Sequence, residues 1–387
     1  MTMRPRDPPT PEVTGAAPSE AATDPIAQGS TARGSTAAVP LSDDRGSAAP
    51  VPFIARWDLD KTYLRTDFDT VRDLWSTLIQ RPDQKRTVPG AAALLRELGR
   101  AGVAIHILSG SPEQLRSRIE AKLRLDGARW ASLTLKPNLQ NLLRLRFRAL
   151  RGQLGYKLPA LLHRRCELRR QHDESGALIR EVLLGDDAEA DAFVYSLYAD
   201  VCRGRIDTGA LTALLRAGGA YEDTITDAVR FASYVDKGPV VERILIHLDR
   251  QSSPSDFKVY GDLVVPFYNY LQASFVLYED GRIPARSVLR IAQDLTASHN
   301  FDGSALARSY LDLSRRGHVS GKGVPEIVRA YGEHMTQRRA AGASEVGRMV
   351  SRLEDMLTEL TPPVSKQQER TIDYGALLLD HNRRAKR

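Results

Sequence analysis

The sequence predicts an α/β protein: a doubly wound, Rossmann-type parallel sheet followed by a mostly α-helical C-terminal region. Three observations carry this expectation. From about residue 51 to 207 short apolar runs alternate with helical periodicities, the βαβ pattern of a parallel sheet. The run Val103-Ala104-Ile105-His106-Ile107-Leu108 is almost continuously apolar, as a strand covered on both faces must be. After about residue 208 strand signals fade and periods near 3.6 residues take over.

Each element has its own signal. Residues 1–50 are rich in Pro, Ala, Ser, Thr and Gly, with almost no large apolar side chains. Such a segment cannot offset its ordering entropy, so a disordered tail is expected. Phe53–Trp57 reads as the first strand. Val88-Pro89-Gly90 opens a helix with Leu94, Leu95 and Leu98 on one face, ending near Gly99 and Gly102. Val103–Leu108 is the second strand. In Ser111-Pro112-Glu113-Gln114, Ser111 reads as an N-cap, Pro112 as the first helical residue and Gln114 as the close of a capping box. Leu115, Ile119 and Leu123 follow at helical spacing. Ser132–Leu135 is a third strand, and a helix over Leu158–Leu168 precedes a fourth at Ile179–Leu184.

Beyond the α/β part, Val241, Ile244, Leu245 and Leu248 follow Pro239 with i, i+3, i+4, i+7 spacing, and Leu263–Tyr278 reads as a buried helix. Leu289, Ile291 and Leu295 mark another helix, and Val346, Met349, Val350, Leu353 and Leu357 a further one. The expected organisation is therefore a tail (1–50), an α/β domain (51–207), a helical domain (208–362) and a basic tail (363–387).

Composition narrows the function classes. The chain has 387 residues, 42% of them hydrophobic, enough for a sizeable core. A formal charge of +7 favours anionic partners, although an Arg- and Ala-rich bias accounts for it equally well. Cys166 and Cys202 lack CxxC spacing, which argues against a zinc site or a disulfide framework and fits a reducing, cytoplasmic setting. No signal-peptide pattern is evident. The longest uncharged stretch, Leu263–Tyr278, is interrupted by Pro266, Asn269 and Gln272 and falls short of the roughly 20 apolar residues of a spanning helix. The expectation is a soluble protein, or one attached peripherally to a membrane.

Four pieces carry chemistry, each at a strand or helix end: Asp58-Leu59-Asp60-Lys61-Thr62, Ser109-Gly110-Ser111-Pro112, Lys157 in Gly155-Tyr156-Lys157-Leu158-Pro159, and Gly185-Asp186-Asp187-Ala188-Glu189-Ala190-Asp191. In an open α/β sheet, sites form at the carboxyl ends of the strands, so one crevice can collect all four. A carboxylate can attack phosphorus and split a displacement into two easier steps, and Asp58 is placed for that. Asp60 can protonate the leaving oxygen and later activate water. Ser109 and the backbone N–H groups of Gly110 and Ser111 can hold phosphoryl oxygens. Lys157 can neutralise the accumulated negative charge. Mg²⁺ would keep carboxylates and phosphate from repelling one another; Asp58 and Asp186, the Asp60 backbone carbonyl and Asp191 are its candidate ligands. Taken singly, each piece is more often an ordinary turn, cap or surface residue; their order along the chain gives them weight.

With these motifs the chain resembles the haloacid dehalogenase superfamily of Mg²⁺-dependent phosphohydrolases. Within it, Ser109-Gly110-Ser111-Pro112 and the Gly185-Asp186…Asp191 spacing resemble the catalytic domain of actin-patch-type phosphatidate phosphatases, over about residues 51–205. The resemblance implies a phosphomonoesterase acting on phosphatidate or a related lipid phosphate. By motif match, Asp58 is the nucleophile, Asp60 the acid/base, Ser109 the phosphate ligand, Lys157 the site lysine, Asp186 a metal ligand and Asp191 the second acidic position. The chain departs from the family at Lys61, where Asp is common, and at Asp187, where Ser is common. Lys136, at the end of the third strand, competes with Lys157 for the lysine role.

Between residues 144 and 170, Arg144, Arg146, Arg148, Arg151, Lys157, Arg164, Arg165, Arg169 and Arg170 face one acid, Glu167, and leucines interleave with them. One reading is a segment drawn to anionic lipid; the plainer one is a solvated helix packing its leucines inward. Nucleic acid is not expected as a partner, because no basic platform interleaved with aromatics is present. His106 reads as a core residue, and His163 and His172 as solvated. A phosphatase for a soluble phosphomonoester and a non-catalytic binding or scaffold protein are the rival expectations.

Overall fold

The computed structural model describes residues 53–59, 62–63, 87–136, 150–173, 175–188, 190–337, 343–357 and 371–385. The expected tail at 1–50, Asp60, and the basic stretch through Arg144, Arg146 and Arg148 lie outside the described residues.

Six parallel strands form one sheet in the order β3-β2-β1-β4-β5-β6. They are β1 (Ile54–Asp58), β2 (Ala104–Pro112), β3 (Ser132–Lys136), β4 (Glu181–Asp186), β5 (Val241–His247) and β6 (Val264–Phe267). The chain builds outward from β1 in one direction and from β4 in the other, so the reversal falls between these two neighbours. That is the topological switch point, where a Rossmann-like sheet opens a crevice at its carboxyl edge.

Helices cover both faces. Alternation along the strands sorts the side chains: Ala55 and Trp57 join one apolar cluster, and Arg56 and Asp58 point the other way. Against the Trp57 face pack α1 (Ala91–Arg100) and α2 (Arg116–Leu125), the first through Leu94, Leu95 and Leu98 as its spacing predicts. On the opposite face lie α3 (Leu150–Cys166), α4 (Asp191–Arg203), α5 (Thr208–Ala217) and α6 (Glu222–Tyr234). The Trp57 face is completed by α7 (Tyr270–Glu279), α8 (Ala285–His299), α9 (Gly303–Arg315), α10 (Val324–Gln337) and α11 (Ala343–Met356). The chain returns to the other face with α12 (Tyr374–Ala385), which buries Tyr374 and Leu378 where only a basic tail was expected. No described helix is long and apolar enough to cross a membrane.

The sheet does not stop at residue 207. Val241, Ile244, Leu245 and Leu248, spaced as for a helix, belong to β5 and the residue after it. A strand covered on both faces is apolar nearly throughout, so helical spacing occurs in it by coincidence. Glu242 and Arg243 disguise the run. Arg243 is held by both Asp280 oxygens at 2.8 and 2.9 Å, and Glu242 by Arg180 at 2.6 Å and by Arg282. Leu263–Tyr278 is likewise a strand, a turn and α7 instead of one helix. Pro266 is accommodated because β6 is an edge strand.

Candidate functional site

Asp58 and Asp186 are the last residues of β1 and β4, the two strands at the switch point. Beyond Asp58 the ladder runs one residue further, Leu59 N–H donating to the Leu108 carbonyl at 3.1 Å. The chain then curls back: the Thr62 hydroxyl donates to Asp186 Oδ2 at 3.4 Å, and the Thr62 carbonyl accepts from the Tyr270 hydroxyl. Tyr270 stacks on Trp57 with ring centroids 5.8 Å apart, so the loop after β1 is fastened to the core beneath it.

The turn after β4 is built from its own side chains. Asp186 Oδ1 accepts from Ala188 N–H at 2.6 Å, and the Asp186 N–H donates to Asp191 Oδ2 at 3.1 Å. Asp191 is the first residue of α4 and fully buried. Its approach depends on Gly185, since a Cβ there would lie 2.7 Å from Asp191 Cγ. Asp187 fastens the loop after β5: its oxygens accept from Arg250 N–H at 2.8 Å and Ser252 N–H at 3.1 Å, and its own N–H donates to the His247 carbonyl at 3.0 Å.

Lys157 joins these pieces from the other side. It is 1% exposed and its ammonium pairs with Asp58 Oδ1 at 3.2 Å and with Asp191 Oδ1. Lys157 lies in the middle of α3, not at a helix start as the sequence suggested, because the helix already runs from Leu150. Tyr156, beside it, donates to the Ser109 carbonyl at 2.8 Å and ties α3 to β2. Lys136, the competing lysine, sits over the Tyr156 ring, 4.9 Å from its centroid.

Asp58, Asp186 and Asp191 each offer an oxygen within 4.8 Å of the others, and none is more than 1% exposed. Among the described residues, three buried carboxylates surround one ammonium, a set that favours a further cation. Hard carboxylate oxygens are the donors that Mg²⁺ or Ca²⁺ take, and each oxygen keeps a lone pair beyond its hydrogen bond for a ligand. The cluster therefore fits a metal ion. The concentrated negative charge is felt nearby: burial, then Asp186, Asp58 and Asp249, push the Tyr270 hydroxyl well above the usual tyrosine range.

The structure brings Asp58, Lys157, Asp186 and Asp191 together. Asp60 lies outside the described residues. Ser109, Gly110 and Ser111 lie at the carboxyl end of β2, next to β1, with Leu108 paired to Asp58. The expected capping box does not form. β2 continues through Pro112, a 3₁₀ turn follows over Glu113–Leu115, and α2 starts only at Arg116. A register shift against β3 after Leu108 keeps this segment extended, and Ser109 Oγ accepts the Ser111 N–H at 3.0 Å. Thr62 stood in the Asp-x-Asp-x-Thr motif without a role of its own, and Tyr270 and His247 were not singled out from the sequence. His247 ends β5 opposite Asp186 and packs on Phe267 and Tyr270 with centroids 5.3 and 5.4 Å apart. Reading Val241–His247 as a strand would have placed that histidine at the same edge as the aspartates.

Comparison with family models, with curated proteins and with solved structures returns no match.

Proposed function

We propose that the protein is a Mg²⁺-dependent phosphatase of the haloacid dehalogenase type that hydrolyses a phosphomonoester through an aspartyl-phosphate on Asp58. One observation carries this reading: Lys157 bridges Asp58 and Asp191 while Asp186 closes the cluster, so acids from separate motifs meet at the switch point. In this scheme an Asp58 oxygen attacks phosphorus as the ester P–O bond breaks, and the leaving oxygen takes a proton from Asp60. Asp60 then accepts a proton from water as the water attacks the acyl phosphate, which releases inorganic phosphate and restores the Asp58 carboxylate. Ser109 donates its hydroxyl to a phosphoryl oxygen while its Oγ keeps the Ser111 N–H, and the Gly110 amide adds a second donor. Lys157 holds Asp58 in place and offsets charge as it builds. Asp58, Asp186 and Asp191, with the Asp60 backbone carbonyl, would hold Mg²⁺, which would supply positive charge to offset the carboxylates and the phosphoryl group.

A lipid phosphate such as phosphatidate is the substrate class favoured by the Ser-Gly-Ser-Pro and Gly-Asp motifs. The test is release of inorganic phosphate from an aryl phosphate with and without Mg²⁺, then from phosphatidate in vesicles against a panel of soluble phosphomonoesters. Asp58→Asn should lower turnover by at least about 10³-fold, as losing a covalent nucleophile does, with the circular dichroism of a folded protein retained. Full activity in that variant would sink the mechanism; hydrolysis confined to soluble esters would keep the mechanism and reject the lipid.

A further inference from the structure

Below the acidic cluster, on the same face of the sheet, lies a second buried ionic group that the proposed reaction does not use. Arg56 Nε pairs with Glu181, whose other oxygen accepts from the Tyr198 hydroxyl and lies 4.0 Å from Arg165. Arg56, Arg165 and Glu181 are each 3% exposed or less. Two buried guanidiniums thus share one buried carboxylate. Tyr198 and Cys202, close to this group, stay neutral, since burial raises both. Arg164 adds no surplus, because both Glu167 oxygens meet it at 2.9 Å. One positive charge remains without a buried counterpart among the described residues.

The same place lacks one hydrogen-bond acceptor and has room for one atom. Arg56 Nη2 is buried and has no acceptor. Arg56 borders a cavity of about 10 Å³ between β1, β2, β3 and α3, walled also by His106, Ser132, Thr134, Ala160 and Arg164. That volume takes one water-sized occupant. The wall is rich in donors: Arg164 reaches Thr134 Oγ1 at 3.3 Å, and His106 Nδ1 lies 2.8 Å from Ser132 Oγ. His106 is kept uncharged, its pKa lowered to about 4 by burial and by Arg56 and Arg164.

We propose that this cavity binds one small monovalent anion, a halide, held by Arg56 with Arg164 and the Ser132 and Thr134 hydroxyls. A water molecule would satisfy the Arg56 N–H but leave the charge uncompensated. The halide supplies the missing acceptor and the missing charge together.

The test compares thermal unfolding in sodium chloride and sodium gluconate at equal ionic strength. Chloride should raise the midpoint saturably, by about 2 °C or more, as a ligand bound only by the folded state does. Ala160→Val, which fills the cavity without touching the Arg56–Glu181 pair, should abolish that chloride-specific rise. Crystals grown in sodium bromide should show anomalous scattering beside Arg56. Equal midpoints in the two salts, a chloride effect that survives in Ala160→Val, or a water in place of bromide would each overturn the proposal. Should the variant fail to fold, the unmodified protein and the bromide crystals still decide.

Discussion

Two buried charge clusters sit two residues apart on β1 and lean on one helix, and they are built in opposite senses. Asp58 meets Lys157 of α3 at the carboxyl edge, where three carboxylates gather around one ammonium. Arg56 meets Glu181 in the body of the sheet, where two guanidiniums share one carboxylate and Arg164 and Arg165 of α3 are close by. Burial is equally complete in both. What separates them is position and sign. At the edge the acids project where strands give way to loops, and the surplus negative charge invites a cation and its ligands. In the interior, the Tyr198 hydroxyl and the packing around Cys202 close the group off. Buried charge alone therefore does not mark a reaction site.

The largest effect should come from breaking the interior cluster. Glu181→Gln keeps the shape and a hydrogen-bonding oxygen but leaves Arg56 and Arg165 uncompensated, so unfolding by urea should show a loss of about 3–5 kcal/mol. Adding Arg56→Met should recover much of it, because the double variant restores the original charge balance. Mg²⁺ should stabilise both variants only as much as it stabilises the unmodified protein, since the acidic cluster is intact in each.

The corresponding experiment at the edge is Lys157→Met, with an expected loss in EDTA of about 3 kcal/mol, the lower end of what removing one partner of a buried ion pair costs. Mg²⁺ at millimolar concentration should restore part of that stability, through mass action on the folded state. A deficit that Mg²⁺ leaves untouched would mean that the three aspartates do not take a metal, and the contrast between the clusters would then be one of location alone.

The two clusters also differ in how far they could be read from the sequence. Asp58, Asp186 and Asp191 were legible because each lies in a short motif at an element end, where local sequence has chemical meaning; Lys157 was legible too, although it lies mid-helix. The Arg56 cluster was invisible. Its members sit inside β1, β4 and α3, 125 residues separate Arg56 from Glu181, and only the pairing of β1 with β4 reveals that the charges cancel in part. The first four strands were recovered to within a few residues for a related reason: their apolar runs are short and stop at Asp58, Ser109, Lys136-Pro137 and Gly185. β5 was lost because Glu242 and Arg243 interrupt it, and their partners Asp280 and Arg282 lie beyond the next strand and helix. The capping box at Ser111 failed although its residues were right. The β2–β3 pairing holds the segment extended, and local capping preference yields to tertiary pairing there.

The smallest effect concerns His106, which reports the sign of the interior cluster. Burial lowers its pKa to about 4, with Arg56 and Arg164 acting in the same direction and Glu181 opposing them. The unfolded chain protonates the imidazole near the ordinary value of about 6.5, so between those limits the unfolded state carries the extra proton. Stability contributed by the neutral imidazole is therefore complete above about pH 6.5 and is lost as pH falls toward 4, with a slope of at most about 1.4 kcal/mol per pH unit. His318, lowered to about 3 by burial and by Arg316 and Arg243, acts in the same direction and forms a background. His106→Gln should flatten the dependence by up to one proton, read as urea midpoints from pH 7 to 4.5. An unchanged slope would show that the fold does not hold the imidazole neutral. A halide beside Arg56 would partly cancel their potential, so the His106 ring signals should titrate at higher pH in chloride than in gluconate.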